Sequence, residues 1–201
     1  MRIKVDLKIF FLIIFYIITK NIRIFAYTFI FILIHELGHV FAGIFLGLKI
    51  NKININLIGL SIEFENYGEE RKINKIIIDS MGPCINAIIL VFALIVKLEE
   101  IAYINLMIIL INMLPIYPLD GGRILKTVLL YKKPYIETMR IVEKVSKNML
   151  ILITFASGIL ILYFKNIAFF LIIIYLWYLL FQENKKNRLI QKVFKTIENN
   201  S

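Results

Sequence analysis

The sequence predicts an all-α membrane protein of about six transmembrane helices, with a small β-hairpin between the second and the third. Three observations predict it. The 201 residues are 60% hydrophobic at a mean hydropathy of +0.80, well above the roughly half-apolar usage of soluble domains. The lysines and arginines punctuate apolar stretches instead of gathering in one patch. One short segment switches from continuous apolar character to strict alternation.

The spans follow from stretches free of Lys and Arg: Ile9–Thr19, Ile24–Leu48, Ser80–Val96, Ile101–Leu119, Asn148–Phe164 and Asn166–Gln182. A bilayer crossing takes roughly 17–25 apolar residues. The first stretch is short; it either spans with Lys8 and Lys20 snorkelling from its ends or is re-entrant. Lys165 and Asn166 alone divide the last two, so their turn is tight. Between spans two and three, Ile53, Ile55 and Leu57 alternate with polar neighbours, as do Leu60, Ile62 and Phe64 beyond Ile58-Gly59. Period two around a glycine turn predicts a hairpin with one apolar face. That hairpin is either a packing flap or an edge strand that pairs with an extended substrate. Residues 1–182 form the membrane core and 183–201 a basic cytoplasmic tail. A sparse stripe of Leu189, Ile190, Val193, Phe194 and Ile197 suits either a helix lying on the membrane surface or a frayed, solvated end.

Charge sets orientation. Of the 24 basic residues, 20 fall at the N-terminus, after spans two and four, and in the tail; only Lys20, Arg23, Lys97 and Lys165 fall on the other side. The positive-inside rule then puts both termini in the cytoplasm. The net charge of +10 reads as topology signal and lipid anchor, not as a nucleic-acid surface. The single cysteine, Cys84, excludes an internal disulfide or a cysteine-rich metal site and reads as a small buried packing residue. The first apolar stretch lacks a small-residue cleavage site, so no cleavable signal peptide is expected.

Both histidines lie in one string, His35-Glu36-Leu37-Gly38-His39, inside the second span. Residues i and i+4 share a helix face, so the two imidazoles can grip one metal ion, with Glu36 as a base for water. Ionisable groups in a membrane helix are expensive and point to function. A catalytic zinc takes a third protein ligand. No histidine remains, and Phe45 stands where a longer motif would place one. The ligand is therefore Asp, Glu or Cys. Asp120 is the best candidate, in Asn112-Met113-Leu114-Pro115-Ile116-Tyr117-Pro118-Leu119-Asp120-Gly121-Gly122. Two prolines break the helix there, and two permissive glycines follow. The string alone leaves two roles for Asp120 open: metal ligand, or N-cap of the helix that follows. Gly43 and Gly47, four apart, suit close helix packing.

Together, His35-Glu36-Leu37-Gly38-His39, the N-M-L-P-I-Y-P-L-D-G-G string and Gly82-Pro83-Cys84-Ile85-Asn86 resemble the site-2 protease family of intramembrane zinc metalloproteases. Order and spacing are similar to the bacterial branch typified by stage IV sporulation protein FB, over roughly residues 1–185. The resemblance implies one zinc ion held by His35, His39 and Asp120, Glu36 as general base, and Asn112 near the scissile bond. It implies a membrane-anchored protein substrate, inhibitory membrane proteins as partners, and a role in sporulation or stress signalling. The chain is expected to lack both the nucleotide-sensing domain that often follows the core in that branch and the PDZ insertion of others. A membrane metal-binding or transport protein is the rival reading. It would need further ligands along a path, and spans three, five and six carry no charge. By rise per residue, His35 lies roughly 20 Å from the cytoplasmic end of its span and Asp120 near the surface. A projecting second helix and a fold-back of the proline stretch are therefore expected, with the site in the cytoplasmic half.

Overall fold

A computed structural model of the protein describes residues 2–5, 22–56, 59–164, 173–185, 187 and 189. It is mostly helical and divides into two compact units, Met1–Asn112 and Met113–Ser201.

The first unit holds β1 (Arg2–Val5), α1 (Ile22–Phe45), β2 (Ile50–Asn56), β3 (Gly59–Phe64), a single 3-10 turn (Tyr67–Glu69), α2 (Lys72–Ile95) and α3 (Glu99–Asn112). Helix α2 packs against α1 and α3. α1 is apolar on all sides, as a helix sunk in lipid or protein must be. Its end is specified by Gly47, whose φ of 85° is a left-handed conformation that costs glycine nothing. Gly47 N–H bonds the Ile44 carbonyl and Leu48 N–H the Gly43 carbonyl, a Schellman closure. Gly43 serves differently. A Cβ there would sit 2.3 Å from the Phe64 ring, so its bare surface receives β3. The two glycines therefore do not form the helix-packing pair expected from their spacing: one ends the helix and the other seats an aromatic ring.

β2 pairs antiparallel with β3, Ile53 opposite Ile62 and Asn56 opposite Gly59, and β1 adds in parallel to β2. The expected turn at Ile58 lies partly outside the described residues. Below the sheet, Phe64 stacks on Tyr67 at 6.4 Å between centroids. The Tyr67 hydroxyl lies 3.0 Å from each carboxylate oxygen of Asp79, a residue buried in α2. At the start of α2, Glu70 accepts from the Arg71 N–H and the Asn74 amide, and these bonds hold its carboxyl below the usual range. Arg23 and Glu100 form an exposed ion pair, so α1 and α3 begin at the same end of this unit.

Among the described residues two helices are long and apolar enough to cross a membrane, Ala26–Phe45 and Lys72–Ile95. α3 is shorter than the expected fourth span. It stops at Asn112 because Pro115 lacks an N–H and restricts Leu114 before it. The first apolar stretch, Ile9–Thr19, and most of the tail stripe lie outside the described residues.

The second unit holds α4 (Asp120–Leu129), α5 (Tyr135–Phe164) and α6 (173–185). α4 packs on α5. Ahead of α4 the chain runs irregularly through Pro115 and a cis Tyr117–Pro118 peptide. Ser146 of α5, fully buried, holds this stretch: its Oγ accepts from the Tyr117 N–H at 3.0 Å and faces the Pro115 carbonyl at 3.5 Å.

Candidate metal centre

His35 and His39 lie one turn apart on α1, both buried, with Nε2 atoms 3.3 Å apart. Their other ring nitrogens decide what that closeness means. His39 Nδ1 lies 2.7 Å from the Ile78 carbonyl, which can only accept, so Nδ1 carries the proton. His35 Nδ1 lies 2.7 Å from the Asn86 side-chain oxygen, also an acceptor. In the neutral rings each Nε2 is thus unprotonated, and the 3.3 Å approach is two lone pairs facing, not a hydrogen bond. Facing lone pairs repel unless a cation lies within reach of both. Two nitrogens on one tetrahedral zinc, each at about 2.0–2.1 Å, lie roughly 3.3–3.4 Å apart. The donor set therefore fits zinc.

Gly82 of α2 supplies the space. A Cβ on it would stand 2.4 Å from His39 Nε2 and 2.6 Å from His35 Nε2, filling the ground in front of both. Gly38 allows the approach from the other side, since a Cβ there would meet the Met81 carbonyl at 3.0 Å and the Gly82 Cα at 3.2 Å. Pro83, which follows Gly82, removes one rung of the α2 ladder at this turn. The Gly82-Pro83-Cys84-Ile85-Asn86 string thus has two jobs here: an open surface and an acceptor for His35. Asn86 passes its amide on, Nδ2 to Asn105 Oδ1 at 2.7 Å. Cys84, on the same string, is exposed rather than buried as expected, because its position on α2 faces away from the packed side that carries Gly82, Pro83 and Asn86.

Glu36 follows His35 on α1 and is half-buried. Asn112, the last residue of α3, donates one amide hydrogen to the Ile108 carbonyl at 3.1 Å.

In the second unit Asp120 is buried and is the first residue of α4. Leu119 occupies the N-cap position in an extended conformation, with no side-chain capping bond. Asp120 is therefore inside the first turn, where the helix dipole favours a carboxylate, and not the cap. Gly121 and Gly122 are helical, and neither has a positive φ. They are needed for space rather than for turning freedom. A Cβ on Gly121 would meet the Met113 carbonyl oxygen at 2.3 Å, and one on Gly122 the Tyr117 nitrogen at 2.4 Å.

Residues 97–156 match the family described as Peptidase family M50. The solved structure of the site-2 protease from Methanocaldococcus jannaschii aligns with a TM-score of 0.68 at 26% identity, covering 90% of this chain and 89% of that one. This chain is similar to the site-2 proteases. Zinc metalloprotease MJ0392 of M. jannaschii is 29% identical over 187 residues, 87% of this chain and 53% of that protein. Stage IV sporulation protein FB of Bacillus subtilis is 27% identical over 139 residues, 64% of this chain and 48% of that protein. The chain spans about half the length of these curated relatives. The resemblance drawn from the motifs is borne out, and it now reaches an archaeal relative as well as the sporulation branch.

Two features of the site are not in the motifs. Asn105 is a polar residue within an apolar helix, a signal visible in the sequence. The Ile78 carbonyl is a backbone group and leaves no signal at all.

Proposed function

We propose that this chain is a zinc-dependent intramembrane endopeptidase that cleaves a peptide bond in or beside the transmembrane segment of a membrane-anchored protein. The observation that carries the reading is the His35–His39 pair, two Nε2 atoms held 3.3 Å apart beside a glycine. The similarity to zinc metalloproteases supports it. A zinc ion, when bound, supplies a Lewis acid that acidifies water and polarises a carbonyl. His35 and His39 hold it through Nε2, and Asp120 is the third protein ligand. The Glu36 carboxylate accepts the proton of the attacking water and delivers it to the leaving amine nitrogen. The Asn112 amide nitrogen carries a second hydrogen, which it offers to the oxyanion that develops on the scissile carbonyl. Lipid excludes water, so access runs along polar side chains of the protein.

The same reading makes the chain an integral protein of a bacterial cytoplasmic membrane. Six spans within residues 1–182 carry the core, a hairpin lies between spans two and three, and residues 183–201 form a cytoplasmic tail. The 20-to-4 partition of basic residues supports cytoplasmic termini. The product is then a fragment released inward, such as a regulator freed from its anchor during sporulation or stress signalling. Inhibitory membrane proteins would hold such an enzyme in check.

Purified protein and a library of membrane-anchored substrates test this. Glu36→Gln abolishes cleavage and keeps the metal; loss of metal as well would move Glu36 among the ligands. Asp120→Ala lowers zinc content, and a variant with full zinc and full activity would remove Asp120 from the ligand set. A wild-type protein that binds zinc and cleaves no member of the library would sink the protease reading. Labelling of a cysteine placed in 132–140 by an impermeant reagent from outside the cell would refute the topology.

A further inference from the structure

We propose that Asn105, outside every motif of the chain, is a positioning residue that sets the tautomer of His35 through Asn86. The inference rests on the reading of His35 as a metal ligand.

One directional chain of hydrogen bonds leads to His35. It starts at the Ile101 carbonyl, a backbone oxygen that can only accept. Asn105 donates to it through Nδ2 at 2.9 Å. That bond fixes which way the Asn105 amide faces, so its oxygen is turned toward Asn86. Asn86 Nδ2 donates to that oxygen at 2.7 Å. The Asn86 oxygen is thereby turned toward His35, whose Nδ1 lies 2.7 Å away. An oxygen there demands a proton on Nδ1 and leaves Nε2 bare, the form that binds a metal. Both asparagines are fully buried. An amide that loses its partner in such a place has a strong incentive to rotate and find another.

Asn86 by itself is ambiguous. Its amide can present either oxygen or nitrogen to His35 after a half-turn. Rotated, it would donate to Nδ1 and move the ring proton to Nε2, which blocks the metal. Asn105 removes the ambiguity because it is anchored to a group that cannot reverse its role. His39 needs no such relay, since its acceptor is a backbone carbonyl directly. The two ligands are therefore unequal. His35 takes its Nδ1 acceptor from a side chain and His39 from the backbone.

The chain has just two histidines, so histidine-selective ¹⁵N labelling gives four ring nitrogens to read. In metal-free wild-type protein in micelles, both rings are expected as Nδ1–H tautomers. In Asn105→Leu the His39 signals stay and His35 gains Nε2–H population. Zinc affinity, measured by competition with a chelating dye, falls by about 10- to 100-fold, the range for losing an outer partner of a metal ligand. Asn105→Leu with an unchanged His35 tautomer and unchanged affinity would overturn the proposal. So would His35 found as Nε2–H in the metal-free wild type, a result that needs no variant to fold. Neither readout uses proteolysis, so failure to cleave a substrate counts against the proposed function and leaves this inference standing.

Discussion

The polar residues of the two units make different demands on their surroundings. In the first, His35 and His39 are oriented by side-chain and carbonyl hydrogen bonds, and Gly82 leaves room in front of them. In the second, Asp120 opens α4, and Gly121 and Gly122 let that helix start against the Met113–Tyr117 stretch. An imidazole has two distinct nitrogens, so its partner must select a tautomer as well as a direction. A carboxylate has no tautomer to select, so a direction is all that its surroundings have to fix. Steric clearance at glycine is thus common to both regions, and tautomer selection belongs to the first.

The largest effect is expected where clearance and ligands meet. Gly82→Ala puts a methyl 2.4 Å from His39 Nε2 and 2.6 Å from His35 Nε2, so both buried rings must give way. Zinc content of the purified variant should fall to background while the protein stays folded by circular dichroism. Retention of stoichiometric zinc would mean that the metal does not lie between these nitrogens.

Next comes the same substitution in the other unit. Gly121→Ala meets a backbone carbonyl oxygen at 2.3 Å, which no side-chain rotation relieves. Overpacking of this kind costs about 1–3 kcal/mol. Thermal unfolding should show that loss, and zinc affinity should fall with it while the histidine tautomers remain as in the wild type. A changed His35 tautomer in Gly121→Ala would break the division drawn above.

The smallest effect is expected from Ser146→Ala. It removes the partner of the Tyr117 N–H and leaves that group short of a bond, worth about 1–3 kcal/mol if water cannot replace it. Faster hydrogen exchange at Tyr117, with zinc affinity reduced less than in Gly121→Ala, would sharpen the comparison. An unchanged exchange rate would show that the proline stretch is held by other contacts.

Much of this was legible in the residues. Helical spacing alone puts His35 and His39 on one face, because i and i+4 are neighbours on any α-helix. Pro115 ends α3 wherever the rest of the chain goes, because it has no N–H to donate. Alternation at Ile53–Asn56 and Leu60–Phe64 announced extended chain, and β2 and β3 occupy those residues. Spacing alone cannot tell Gly43, which clears space for Phe64, from Gly47, which turns the backbone.

Sequence by itself determined the local geometry of this protein: the apolar helices, the shared face of the two histidines, the proline break before Asp120. Those follow from covalent structure and from bonds that reach no further than four residues. Tertiary structure alone decided which ring nitrogens carry protons and which glycines are indispensable. The partners of His35 and His39 come from positions 51 and 39 residues away, and Gly82 matters only because α2 lies against α1. A donor and acceptor that far apart leave no periodicity behind, and a backbone carbonyl such as that of Ile78 has the same chemistry whatever side chain it carries.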